Sequence, residues 1–340
     1  VTQRDAEKQA FLQAAGWGAA RRMHLAGDAS ARRYERLDRG GDAAVLMDAP
    51  PGCGDDAADF LRIADHLAGL GLSPPAVLHA DVPRGLVLLE DLGDGLVNTL
   101  VAADPGRERP LLTLAAEVLL HLQSAPPPIQ PPDLPDLSAA DWAATTAIAA
   151  EVYARAVTGT APEAAPITVA LAAALAAHAD GPRVLILRDY FGGNLLWLPQ
   201  RRGLARLGLL DFQLAQMGQP EYDLVSLLQD ARRDIAPETE TAVIARFANA
   251  RGQTAAGIAP AIATLGALRA LRILGVFARL CLVAGKPGYL AHLPRVWGQL
   301  QRNLAHPALA ELHAACAVLP PPDPRAIERI RARCGSEASP

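Results

Sequence analysis

Lysine is almost missing from this chain. Of 32 lysines and arginines, only Lys8 and Lys286 are lysines. Any role that ordinarily falls to a lysine between residues 9 and 285 must be met by another group. Cysteine is also sparse: Cys53, Cys281, Cys316 and Cys334 are widely scattered, and no CxxC pair occurs. That argues against a zinc site and points to free thiols in a reducing compartment. There is no excess of positive charge. The net charge of -4 carries no global footprint of a nucleic-acid binder. Long apolar runs are missing too. The longest uncharged helical stretch, 164–179, is too short to span a bilayer comfortably. The opening "VTQRDAEKQAFLQAAGW" is charged and amphipathic, unlike a secretion signal. A soluble, cytoplasmic, monomeric protein with neither nucleic-acid nor membrane partners is expected.

What is present is a large apolar fraction, 51% over 340 residues, enough for one large domain or two moderate ones. Residues 4–16 read as an amphipathic helix. Four short runs then have strand character: "RRYERL" (32–37), "AAVLMDA" (43–49), "PAVLHAD" (75–81) and "GLVLLEDL" (85–92). Gly40-Gly41 separates the first two as a hairpin turn would. Between the second and third, Phe60, Ile63, Ala64 and Leu67 recur at helical spacing before Gly69 and Gly71. The expected order is β-β-α-β-β.

After Gly93 the pattern turns helical, at 110–123, 139–156 and 164–179, with the Pro-rich loop "SAPPPIQPPDLPDLS" among them. Two strand-like segments interrupt it, within 184–198 and at 206–212. The fold class expected is α+β: a small β-rich lobe over 1–92, then a large, mainly helical lobe over 93–340. A cleft between two such lobes is a usual place for a small-molecule site.

Polar residues stand where the two late strands run out. Asp189 follows "VLIL", Asp211 follows "LGLL", and Asn194 lies between them, five residues after Asp189. A hairpin-like return between those strands would bring the carboxylates together. Two carboxylates and an amide make an oxygen-rich set suited to Mg2+. For phosphoryl transfer, one Asp takes the proton of the attacking hydroxyl, while the other Asp and the Asn hold the metal.

"RDYFGGN" followed by "LLDF" resembles the catalytic-loop and metal-loop pair of the bilobal protein-kinase-like fold, H-R-D-x-x-x-x-N and D-F-G. The variant form is similar to the aminoglycoside phosphotransferase branch of small-molecule kinases. "GDASARRYERL", "VLMDAPP", "LLEDLGD", "LLDFQLAQMGQPEYDLVSLLQDA" and "LGVFARLCLVAGKPGYLAHLPRVW" resemble, within that branch, the anomeric kinases of N-acetylmuramate and N-acetylglucosamine in bacterial cell-wall recycling. The resemblance implies an ATP-dependent sugar kinase that makes a sugar 1-phosphate. It implies Asp189 as catalytic base, Asn194 and Asp211 as Mg2+ ligands, and Glu90, Asp91 and Leu92 at the hinge facing adenine. It also places the 27–33 segment, with Ser30, Arg32 and Arg33, over the phosphates. Asp223 matches an Asp that braces the catalytic loop.

Three positions depart from the kinase pattern. Leu187 stands for the usual His, Gln213 for the Gly of D-F-G, and the strand lysine falls at or near Met47. Arg32 or Arg33 could replace that lysine at the phosphates, since guanidinium is a good bidentate phosphate partner; alternatively both sit on a solvated face. Tyr190 lines the sugar site or packs in the core. Gln213 and Asp230 are candidate partners of sugar hydroxyls. The competing expectations are another kinase of the branch, acting on an amino alcohol or aminoglycoside, and a nucleotide-binding pseudokinase.

Overall fold

Short runs of strand-forming residues separated by tight glycine turns make the first part of the chain a sheet. The structure, a computed structural model, describes residues 2–25, 32–52, 56–125 and 134–337. Among these residues the strands are β1 (Arg21–Leu25), β2 (Arg33–Arg39), β3 (Asp42–Asp48), β4 (Val77–Asp81), β5 (Leu86–Glu90), β6 (Val184–Ile186), β7 (Leu195–Trp197), β8 (Leu207–Leu209) and β9 (Gln216–Gly218). Ser30, Cys53 and residues 126–133 of the Pro-rich loop lie outside the described residues.

The chain divides into two compact units, Val1–Asp133 with Gly192–Ala215, and Leu134–Phe191 with Gln216–Pro340. Residues 93–133 and 192–215, expected with the helical lobe, group with the sheet in this division. Hydrogen bonds from Trp197 to the Gly95 carbonyl and from Leu209 to the Ser73 carbonyl, 2.8 and 2.9 Å, tie the later segment there.

The first unit is built on an antiparallel sheet of order β1-β2-β3-β5-β4. β1, too polar to show an apolar alternation, was not expected; it adds one strand to the anticipated order. Gly40 and Gly41 make the β2–β3 turn with φ of 61° and 105°, left-handed values that a hairpin turn of this kind needs. Helix α1 (Gln3–Ala14) lays Phe11 and Leu12 against Leu37, Leu46, Leu86 and Leu88 of the sheet. Helix α2 (Ala57–Gly69) starts at Asp56, whose carboxylate accepts the Ala58 N–H, and buries Phe60, Ile63, Ala64 and Leu67. Helices α3 (Val97–Ala103) and α4 (Glu108–Gln123) follow.

The second unit is helical. It holds α5 (Ala139–Ala144), a π-helical stretch (Ala149–Ala154), α6 (Arg155–Thr158) and α7 (Ala165–His178). Then come α8 (Glu221–Leu228), α9 (Pro237–Ala250), α10 (Ala255–Leu282), α11 (Leu293–Leu304), α12 (Ala310–Cys316) and α13 (Pro324–Arg331). By length and composition α10 could cross a membrane, but 72% of its most apolar stretch is buried in the protein. It is the core helix, with Leu268, Leu271, Leu274 and Ala278 fully buried.

The expected return between "VLIL" and "LGLL" is not what forms. β6 pairs with β9, and β8 pairs with β7, both antiparallel. β7 lies nearer to β8 in sequence than β6 does, so it closes the smaller loop. The chain emerging after Asp211 then supplies β9 to β6. β7 and β9 are three residues each, too short to signal an alternation.

Candidate active site

Two residues of the described chain, apart from glycines, have left-handed backbone: Arg188 at φ 70° and Asp211 at φ 58°. Side chains with a Cβ adopt this conformation at a cost, and such residues cluster at functional sites. Both belong to the motifs singled out in the sequence.

In the helical unit, Arg188 is held by its neighbours. Asp223 on α8 accepts the Leu187 N–H through Oδ2 at 2.6 Å and the Arg188 N–H through Oδ1 at 2.9 Å. The Arg188 carbonyl accepts from Arg269 Nη1 at 3.0 Å and Ser226 Oγ at 3.3 Å. With this turn clamped on both sides, Asp189 leaves it at a fixed angle, half-buried. Burial pushes the Asp223 carboxyl up to about 6, against the two amides and Arg269, which favour its charge; the Asp189 charge pushes it further up. Leu187, in the place of the usual His, is buried. Tyr190 is only 2% exposed, and burial together with the Asp223 charge holds its hydroxyl well above the ordinary range. Asp230, also buried, accepts the Arg232 N–H at 2.8 Å and so shapes the turn after α8.

In the sheet unit, the β7–β8 hairpin sets Asn194 and Asp211. Leu195 faces Leu209, and the Leu210 N–H donates to the Asn194 carbonyl at 2.9 Å. Asn194 therefore precedes one strand and Asp211 follows the other, at the open end of one hairpin. Phe212 is fully buried and stacks on Phe60 of α2, ring centroids 5.0 Å apart, which anchors the residue beside Asp211. Gly192 needs no unusual φ. A Cβ there would press on the Asn98 side-chain amide on α3, which would have to shift.

Arg32 and Gln213 converge on Asp211. Arg32 Nη2 lies 2.5 Å and Gln213 Nε2 3.0 Å from Asp211 Oδ1, and Arg32 Nη1 donates to the Tyr34 hydroxyl at 3.0 Å. Arg32 is only 6% exposed, whereas Arg33 is exposed. Tyr34 faces Met47 across the β2–β3 ladder, so Arg32 approaches from the strand beside the one where a kinase lysine stands. Lys8 is committed elsewhere: its ammonium lies 2.8 Å from Glu35 Oε1 and 3.7 Å from Asp48 Oδ2.

The acids expected at the hinge pair with neighbouring arginines. Glu90 pairs with Arg201 at 2.5 Å, and Asp91 with Arg36 at 2.7 Å. The Leu92 N–H makes no hydrogen bond among the described residues, leaving a backbone donor at this bend. Among the described residues no group of three or more His, Cys, Asp and Glu could hold a metal. One carboxylate and one amide remain a fitting pair for Mg2+, which keeps waters and takes phosphate oxygens for its other positions. The Asp211 carboxylate already accepts a cationic partner.

Arg269 and Arg272 escaped the sequence reading. Their signal was legible: "LGALRALRIL" (265–274) places two charges a helical turn apart in an otherwise apolar stretch.

The family model described as phosphotransferase enzyme family matches residues 23–261. The N-acetylmuramate/N-acetylglucosamine kinase of Caulobacter vibrioides is 39% identical, over 92% of this chain and 96% of its own length. Its namesake in Pseudomonas aeruginosa is 30% identical, over 90% and 92%. Among solved structures, a choline/ethanolamine kinase family protein from Mesorhizobium loti matches with a TM-score of 0.61 at 18% identity, covering 97% of this chain and 100% of that one. The GDP complex of aminoglycoside 2'-phosphotransferase-IIIa matches with a TM-score of 0.63 at 16% identity, covering 89% and 99%. The fold is that of the protein-kinase-like phosphotransferases.

Proposed function

The chain belongs to the phosphotransferase enzyme family, and on that premise we propose that it transfers the γ-phosphoryl group of ATP to the anomeric (C1) hydroxyl of N-acetylmuramate or N-acetylglucosamine. The product is the sugar 1-phosphate, and the setting is cytoplasmic peptidoglycan recycling by a monomeric enzyme. The observation that carries this reading is the 39% identity, nearly end to end, with the Caulobacter vibrioides kinase of these two sugars.

The side chains fit the chemistry. Asp189, on a turn clamped by Asp223, accepts the C1 proton and aims the oxygen at phosphorus. A hemiacetal hydroxyl is more acidic than an ordinary alcohol, and a loose transition state needs little proton removal early. Asn194 and Asp211 would hold Mg2+, which when bound neutralises charge on the phosphates. Arg32 supplies the positive charge that no lysine provides, because Lys8 is taken up by Glu35. Glu90, Asp91 and Leu92 offer backbone groups to adenine; Ser30, outside the described residues, is assigned with Arg32 to the phosphates, and the exposed Arg33 is not. Tyr190, Gln213 and Asp230 are assigned to the sugar side. The amide oxygen of Gln213 is buried without a hydrogen-bond partner among the described residues, so it can accept a ligand hydroxyl.

A second reading, phosphorylation of an amino alcohol or aminoglycoside, draws on the structural likenesses. Cationic substrates want an acidic pocket, whereas arginines surround the Asp189 turn.

ATP consumption with N-acetylmuramate, N-acetylglucosamine, choline and kanamycin tests the reading. Turnover with either sugar, and a product whose phosphorus NMR coupling places phosphate on C1, is expected. Turnover with choline or kanamycin alone would overturn it, and no turnover with any would favour a nucleotide-binding pseudokinase.

A further inference from the structure

Several arginines elsewhere in the helical unit are matched with acids, and Arg279, Arg325 and Arg329, which have no carboxylate partner among the described residues, are exposed. Arg295 pairs with Asp234 at 2.7 Å, Arg302 with Glu240 at 2.8 Å, and Arg333 with Glu337 at 2.5 Å. Beside the Asp189 turn the pattern breaks. The Arg188 and Arg272 guanidiniums lie 6.0 and 5.7 Å from the centroid of the Trp142 ring. Arg269 lies 5.1 Å from the Tyr222 centroid, and Arg272 Nη1 donates to the Tyr222 hydroxyl at 3.2 Å. The two rings are themselves 5.0 Å apart, so the guanidiniums share one aromatic platform.

None of these three arginines forms an ion pair with a carboxylate among the described residues. Asp223 is close enough to feel Arg269, but both of its oxygens are taken by backbone amides. All three arginines are half-buried. Positive charges gathered away from bulk water without a carboxylate are costly, and an anion that joins them relieves the cost. Planar guanidiniums on aromatic faces are also well suited to bind a carboxylate in the plane of its two oxygens.

We propose that Arg188, Arg269 and Arg272, on the platform of Trp142 and Tyr222, are the receptor for a carboxylate carried by the sugar substrate. The proposal rests on the sugar-kinase reading and adds to it a preference for the acidic sugar over its neutral counterpart. Arg269 has a second duty, since it also holds the Arg188 carbonyl. Arg272 has none toward the catalytic turn, which makes it the residue to test.

The test compares kcat/KM for N-acetylmuramate, which carries a carboxylate, and N-acetylglucosamine, which does not, in the wild type and in Arg272→Met and Arg272→Lys. Methionine keeps the apolar stem over Trp142 and removes the charge. Arg272→Met is expected to lower the N-acetylmuramate to N-acetylglucosamine ratio about tenfold or more, with Arg272→Lys intermediate. Equal losses for both sugars would show a structural role and overturn the proposal, as would an unchanged ratio. Calorimetric binding of both sugars separates this proposal from its premise. A wild type that binds neither sugar overturns the sugar-kinase reading itself. A wild type that binds both, with Arg272→Met leaving the difference intact, overturns only the anion receptor.

Discussion

Arg32 and Asp211 form an ion pair, Nη2 to Oδ1 at 2.5 Å, joining the residue just before β2 to a residue just after the β7–β8 hairpin. Arg32 is buried and Asp211 is 37% exposed, so the pair keeps a cation at the edge of the proposed phosphate site. Arg32 is assigned the work of the missing strand lysine. Arg32→Ala is expected to raise KM for ATP about ten- to a hundredfold, the worth of a charge-assisted hydrogen bond. Arg33→Ala, on an exposed side chain, stays within about twofold. Steady-state kinetics at saturating sugar decide this, and equal effects of the two substitutions would contradict the assignment.

Lys8 is the complementary test. It is the one lysine before residue 286, and it sits in a network with Glu35 and Arg22. Hydrogen bonds from Arg22, and then Lys8, hold the Glu35 carboxyl at about 2, against burial. A depressed carboxyl stabilises the fold above its unfolded pKa and loses that contribution as pH falls through about 2. Lys8→Met is expected to lower Tm by a few degrees, on the order of 1 kcal/mol or less, and to leave KM for ATP alone. A raised KM would return the phosphate role to Lys8.

Asp223 couples the Asp189 turn to pH. Its folded pKa of about 6 lies above the ordinary 3.8. The native state therefore holds this proton more tightly than the unfolded chain does. The resulting stability is present below the unfolded pKa and is lost as pH rises through about 6. Activity runs the other way, because the ionised carboxylate is the form that accepts both amides. The wild-type kcat is expected to fall below about pH 6. Asp223→Asn should be slower throughout and lack that limb; an unchanged limb in this variant would remove Asp223 as its source.

Phe212 fixes the residue before it by stacking on Phe60. Phe212→Ala is expected to cost about 3–5 kcal/mol in denaturant unfolding, from lost burial and the cavity left behind. Phe212→Leu costs less. A loss under about 1 kcal/mol for alanine would show that the site collapses around the gap.

Much of the candidate site is legible because the pattern expected for phosphoryl transfer constrains spacing. Asp189, Asn194 and Asp211 stand out as acids and an amide behind aliphatic runs, and a local pattern suffices to find them. What sequence could not settle was pairing. The return between 184–187 and 206–212 was a natural expectation, yet three-residue strands around them redirected both ladders. β1 stayed hidden because "RRMHL" has no apolar alternation. The choice between Arg32, just before β2, and Arg33, its first residue, depends on which side chain turns inward, and the sequence does not mark that. The arginine platform joins α5, α8, α10 and the catalytic turn, elements over a hundred residues apart, so no local window contains it.

The central claim is that Asp189 takes the proton from the sugar hydroxyl, and Asp189→Asn tests it most directly. The substitution keeps shape and hydrogen bonding while removing the base. Measured by ATP-dependent formation of N-acetylmuramate 1-phosphate, the variant is expected to lose about a hundredfold or more in kcat, with the fold and ATP binding retained. A folded Asp189→Asn protein that turns over at the wild-type rate would contradict the account.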